Sequence, residues 1–228
     1  MKFEKLEVGG FESALSGARN PLDSWAKSDS CKIENANEAQ KAICLENAVD
    51  YYIGEADMNL AKRLIDAGSD SDCKFLRMIY VTVNITAPVY WWREMDTYKV
   101  ATVTNSRSLQ HRGMVSDYSM EDFTIDRPSD DDEEVQRVFD EMWNEWLDFI
   151  NTYRLAYKNT KDYTFFRCMR QMMPMGYNYM ETWSANYAVL RNIYRQRKNH
   201  KLKEWHDFCD WIETLPYSEL ITHGLKND

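Results

Sequence analysis

The sequence predicts an α/β (α+β) fold: a helix-rich single domain around a central antiparallel or mixed sheet. Three observations carry this reading. Val81, Val83 and Ile85 alternate with Thr82, Asn84 and Thr86, the period-two pattern of a β-branched strand. From Val135, the residues Val138, Phe139, Met142, Trp146 and Ile150 fall on one helical face, which predicts a long amphipathic helix. Further helical stretches lie before and after these two, and no internal repeat is present.

The remaining elements follow in order. FEKLEVGGFESAL reads as a strand, a turn at Gly9-Gly10 and a short helix. Asn20-Pro21 breaks any continuation, because the residue before proline disfavours helical backbone. Ala42, Leu45, Val49 and Tyr52 predict a helix over 37–52. Leu60, Leu64 and Ile65 predict another, with Gly68 as its C-terminal cap. Phe75 to Thr86 is the strand. Pro88 then sits where a new helix can begin, since its missing N–H costs nothing in the first turn. Val100 to Asn105 has β character. RPSDDDEE, 127–134, is a charged loop whose acids suit the start of the long helix. Three more helices are expected, over 162–172, about 177–197, and 202–212.

Composition narrows the function classes. The chain has 228 residues, with one domain expected across 1–228. A net charge of -9 argues against nucleic acid as partner, because phosphate backbones call for a basic field. No apolar run reaches the roughly 20 residues of a membrane helix, and MKFEKLEVGG has no signal-peptide core. The five cysteines are scattered, without a CxxC, as expected of buried thiols in a reducing compartment. These features predict a soluble cytoplasmic protein without a membrane partner. No metal site is expected: His206 and Cys209 can share a helical face, but His200 stands outside it.

One cluster runs against the acidic balance. RNIYRQRKNHK holds Arg191, Arg195, Arg197, Lys198 and Lys201. It reads either as a solvated helix end, where cations complement the dipole, or as an anion pocket. Charge alone favours the helix end.

Several segments resemble the flavin-dependent thymidylate synthases. Ala87-Pro88 matches the family's AP pair, and Arg93-Glu94 stands where Arg-Gln is common. Aligned without a gap, the family's Arg-His-Arg signature becomes Thr97, Tyr98 and Lys99. Thr102, Asn105 and Arg107 take the places of its Ser/Glu/Ser pattern, with Ser106 and Ser108 flanking Arg107. The C-terminal half is more similar. Arg170 and Pro174 match an arginine and proline, Trp183, Ser184 and Asn186 match W-(T/S)-x-N, and Asn192 and Arg197 match N-x-x-x-x-R. LAKRLIDAGSDSDCKFLRMI resembles the helix and loop before the AP strand, with Asp72 or a neighbour at a flavin-contacting histidine's place. HKLKEW resembles the family's HAQWE with a one-residue shift. The likeness spans about residues 60–205.

The resemblance implies reductive methylation of dUMP at C5, with FAD as cofactor and methylenetetrahydrofolate and NADPH as co-substrates. It implies a homotetramer with sites shared between chains. Arg197 is then the catalytic candidate. Arg170, Arg197, Arg93, Ser106, Arg107 and Ser108 are substrate-binding candidates, since phosphate favours arginine forks and charge developing on uracil can be stabilised by a fixed guanidinium. Thr97, Tyr98, Lys99, Asn105, Asn186 and Asn192 are cofactor-binding candidates, the amides being able to read base or flavin edges. On this reading, changing Arg170 or Arg197 to Ala weakens dUMP binding with little effect on stability. A second reading stays open: a nucleotide-binding protein of the same fold that has lost flavin chemistry.

Overall fold

A computed structural model describes residues 1–109, 116–127 and 133–225. The chain forms two compact units. The first comprises Met1–Ile85, Thr97–Asn105 and Thr182–Asp228, and the second Thr86–Asp96 and Ser106–Glu181. In chain order the elements are β1 (Lys2–Gly9), α1 (Phe11–Arg19), β2 (Cys31–Lys32), α2 (Glu38–Glu46), β3 (Tyr51–Tyr52) and α3 (Glu55–Asp66). Then come β4 (Tyr80–Pro88), α4 (Val89–Met95), β5 (Val103–Ser106), α5 (Glu133–Thr160) and α6 (Tyr163–Met172). The chain closes with β6 (Asn178–Asn186), α7 (Tyr187–Arg197), α8 (Lys203–Glu213) and α9 (Glu219–Thr222). The architecture is helix-rich with a small antiparallel sheet, in strand order β1-β4-β6-β5. β2 and β3 form a separate two-stranded pair.

β4 shows why the alternating pattern predicts a strand. Val81, Val83 and Ile85 are fully buried. On the other face, Thr82 donates to Ser184 Oγ (3.1 Å) and Thr182 donates to Asn84 Oδ1 (2.7 Å), so hydroxyl and amide side chains tie β4 to β6. Trp183 and Ala185 of β6 are buried, and Trp183 meets Phe208 of α8 edge-on at 5.9 Å. The turn into α1 requires glycine: Gly10 has φ +91°, and a Cβ there would lie 2.1 Å from the Met78 carbonyl oxygen. α1 is further anchored by a buried ion pair. Arg19 Nε donates to Asp57 Oδ1 (2.6 Å), and Ser28 and Ser30 donate to Asp57 Oδ2. Burial pushes the Asp57 carboxyl up, but these hydrogen bonds and the guanidinium outweigh it and hold it below the ordinary range.

In the second unit α5 packs on α6 through Tyr157–Phe166 and Tyr153–Phe165, each 5.5 Å between ring centroids. Trp91 and Trp92 are buried and meet edge-on at 5.0 Å. Trp92 Nε1 donates to the Tyr179 carbonyl at 2.9 Å, so both tryptophans fill core.

Four sequence expectations are corrected. The helix expected over about 177–197 starts only at Tyr187, because Asn178–Asn186 pairs into the sheet as β6. The helix expected over 37–52 ends at Glu46. Ala48 takes φ 52° and turns the chain into β3. Its buried residue is Cys44, while Leu45 is 72% exposed. Residues 72–78 form a 3-10 segment, so the strand begins at Tyr80, and Pro88 caps α4 from the end of β4. On α5 the inward stripe is Trp143, Ile150 and Tyr157, and Val138 and Met142 are half exposed. Part of the acidic loop, 128–132, lies outside the described residues.

Candidate functional site

A cavity of about 740 Å³ opens in the first unit. Three stretches wall it. The connection after α3 brings Ser69 and Asp70, and the following 3-10 segment brings Cys73 and Arg77. The segment after α4 brings Thr97 and Tyr98. The N-cap of α7 brings Asn186, and the helix itself brings Arg191, Asn192 and, in its last turn, Arg195. Ile65, Leu76 and Val189 supply apolar wall. The volume lies within the range of pockets that take cofactor-sized ligands.

The sheet–helix junction sets the α7 wall. Tyr187 N–H donates to the Ile79 carbonyl (3.0 Å), and Asn186 Oδ1 accepts from Val189 N–H (3.0 Å) as the helix N-cap. One turn on, Asn192 Oδ1 accepts from Arg195 (3.1 Å) and from Gln196 (2.9 Å). Asn192 Oδ1 thus has both lone pairs in use and Asn186 Oδ1 one of its two, and each NH2 group remains a donor. Arg191 donates through one terminal nitrogen to the carbonyls of Ile221 and His223, both at 2.7 Å. Burial, with the neighbouring Arg195, lowers its affinity for a proton, opposed by Cys73 and Asp66. Burial pushes the Cys73 thiol up; Arg191 opposes this, and Asp72 and Asp70 add to it. Cys73 is therefore a neutral thiol at pH 7, not an activated nucleophile.

Of the cofactor candidates, the fold brings Thr97, Tyr98, Asn186 and Asn192 into this cavity. Lys99 and Asn105 are exposed and do not line it. Arg197 does not line it either. Its Nε donates to the Tyr98 hydroxyl (2.8 Å), and its guanidinium lies 4.6 Å from the centre of Trp205 and 5.5 Å from that of Tyr98. Tyr98 O–H donates in turn to Gln196 Oε1 at 3.1 Å. Arg197 is a stacked, half-buried arginine, not a solvated helix end.

The other substrate candidates belong to the second unit. Arg93 is exposed on α4, and Arg170 is exposed at the end of α6. Ser106, Arg107 and Ser108 are exposed after β5. The Arg107 backbone is fixed there, its N–H donating to the Met180 carbonyl (2.9 Å) and its carbonyl accepting from Tyr179 O–H. Sequence reasoning missed Arg77, Ser69 and Cys73 as lining residues. Arg191 and Arg195 had a signal, their four-residue spacing on one helical face.

Elsewhere, His206 Nε2 meets the His200 carbonyl, and burial pushes the Cys209 thiol up to about 12. Among the described residues no cluster of three metal-ligating side chains occurs, and no helix is long and apolar enough to cross a membrane.

Comparison with solved structures gives the architecture its relatives. The chain matches the flavin-dependent thymidylate synthase ThyX from Helicobacter pylori, complexed with FAD and dUMP, with a TM-score of 0.68 and 17% identity over 99% of this chain and 100% of that one. A second structure of the same enzyme with FAD and dUMP, at 2.31 Å resolution, gives 0.67 and 16% over the same shares. The fold is that of a flavin-dependent thymidylate synthase. No family model matches the sequence, and no curated protein matches it. In this chain the AP pair, the aromatic segment, the W-S-x-N segment and the N-x-x-x-x-R segment fall on β4, α4, β6 and α7 respectively.

Proposed function

We propose that this protein is a divergent FAD-dependent thymidylate synthase that methylates dUMP reductively at C5. One observation carries the reading: Thr97, Tyr98, Asn186 and Asn192, matched to cofactor positions by motif, converge on one cavity. The residues fit a flavin dinucleotide. The cavity has the volume, an apolar wall for a ring system, two amide donors for ring carbonyls and guanidinium groups for phosphate. Reduced flavin, when bound, supplies hydride, with methylenetetrahydrofolate as carbon donor and NADPH as reductant of the flavin. The protein's part is orientation and charge. Asn186 and Asn192 donate N–H to the cofactor. Arg170, Arg93, Arg107, Ser106 and Ser108 are assigned to the uridylate, and Arg197 to charge developing on the uracil. A homotetramer with shared sites accompanies this assignment, supported by the half-exposed Val138 and Met142 on α5.

The test is direct. Protein incubated with FAD should retain yellow absorbance after desalting and quench flavin fluorescence. With dUMP, methylenetetrahydrofolate and NADPH it should form dTMP. A protein that ignores FAD, with or without dUMP, ends the flavin assignment.

A nucleotide-binding protein without flavin chemistry is the second reading. It is favoured by the signature segment, where Thr97 and Tyr98 carry no charge and Lys99 does not line the cavity. dUMP binding without FAD uptake would select it.

A further inference from the structure

The signature replacement removes two arginines from the segment that walls the cavity, yet the cavity is not poor in charge. Arg77, Arg191 and Arg195 line it against one carboxylate, Asp70, in a chain whose net charge is -9. None of the three stands at a signature position. Two sit four residues apart on α7, on one face of the helix. The third belongs to the 3-10 segment 72–78, whose Phe75 and Leu76 are buried in the core. The neighbouring amides each add an NH2 donor, and the Asn192 Oδ1 acceptor is already used twice. This wall suits a ligand group rich in acceptors and negative charge.

We infer that Arg77, Arg191 and Arg195 hold the pyrophosphate of a bound dinucleotide, replacing the charge lost at 97–99. The assignment rests on the flavin reading above for the identity of the dinucleotide, but not for the presence of an anion site. Arg191 has one nitrogen committed to the Ile221 and His223 carbonyls, which fixes its fork without using all of its five donors. Arg195 is held by Asn192 and otherwise exposed, and Arg77 is exposed. The latter two can be changed without removing a bond to the core.

The experiment uses Arg77→Gln, Arg195→Gln and the double variant, with Lys201→Gln as a control cation that does not line the cavity. Melting temperature checks folding in each. FAD, riboflavin and inorganic pyrophosphate are titrated separately. Losing one charge-assisted contact should weaken FAD roughly tenfold per variant. Riboflavin, which has no phosphate, should bind all variants alike, and Lys201→Gln should behave as wild type. The dependence of FAD affinity on salt should flatten in the double variant. If wild type binds FAD and the Gln variants bind it equally well, or lose riboflavin in parallel, the inference is overturned and the flavin reading survives. If wild type binds no FAD, the flavin reading fails instead. Pyrophosphate binding that disappears in the double variant would then still support the anion wall, and pyrophosphate binding that is absent or unchanged would overturn it.

Discussion

Arg197→Ala separates a stacked arginine from a solvated helix end. The side chain meets two residues in ways that bear on its role: the Tyr98 hydroxyl at 2.8 Å and ring at 5.5 Å, and the Trp205 ring at 4.6 Å. A hydrogen bond from a charged group contributes about 1.5–3 kcal/mol, and a cation over an aromatic face about 0.5–1 kcal/mol when partly solvated. Arg197 is half buried, so the low ends apply, and the contacts share one side chain and do not simply add. A loss of about 2 kcal/mol is expected, against about 0.3–1 kcal/mol for a cation that only complements the helix dipole. This replaces the expectation from sequence that stability would barely change. The assay is urea denaturation of wild type, Arg197→Ala, Tyr98→Phe and the double variant, closed as a thermodynamic cycle. The Arg197–Tyr98 coupling should be about 1 kcal/mol. Arg197→Lys should recover only part of the loss, since an ammonium cannot stack as a plane. A loss below about 1 kcal/mol together with zero coupling would refute the stacked role. Titrating dUMP into the same proteins reads the catalytic assignment separately. If Arg197 also meets the uridylate, affinity falls roughly 10- to 150-fold.

Three further predictions rest on single residues. Asp57→Asn leaves the buried Arg19 guanidinium without its carboxylate and should cost about 3–5 kcal/mol in denaturant melts. Because the folded Asp57 pKa is depressed, the wild-type contribution is present above the ordinary carboxylate range and is lost as pH falls through the folded value. Stability of Asp57→Asn should therefore lack that acid-side loss. Asn186→Ala removes the α7 N-cap and should cost about 1 kcal/mol of stability, and it should weaken FAD uptake beyond any unfolding, as read by flavin fluorescence. Glu181 is half buried, and burial, then the nearby Asp96, raises its carboxyl pKa. Glu181→Gln should raise the melting temperature at pH 7, with the gain vanishing at acid pH where wild type is protonated.

What the sequence made legible follows from which physical signals are local. β4 was readable because the alternation of Val81, Val83 and Ile85 is a property of one strand. β6 was not, because Tyr179, Trp183, Ala185 and Leu190 run without a break from a sheet face into a helix face. Only Asn186 marks the boundary, as a residue able to cap Val189 N–H. On α2 the apolar residues Leu45 and Ala42 suggested a face that the fold leaves exposed, since burial there depends on what the helix packs against. The cavity divides the same way. Motif spacing reached Thr97, Tyr98, Asn186 and Asn192, but Arg77 enters from a 3-10 segment with no periodicity to reveal it.

If the arginine wall proposed above takes the place of a signature at 97–99, Tyr98 has a different task. Tyr98 supplies no charge. It forms wall, accepts from Arg197 and donates to Gln196, so it binds the segment after α4 to the end of α7. The segment thereby becomes a positioning element for α7. α7 is packed against α8: Ile193 and Tyr194 are buried, and Tyr194 O–H donates to Glu213 of α8 at 2.5 Å. The backbone that carries Arg191 and Arg195 is thus set by packing and not by a loop, which favours a preorganised phosphate site. Tyr98→Phe tests this directly. It removes no charge and leaves the wall intact. If the hydroxyl positions α7, FAD affinity should fall in this variant while riboflavin affinity changes less, because the loss falls on the guanidinium wall. Equal losses for the two ligands would assign Tyr98 to ring packing alone.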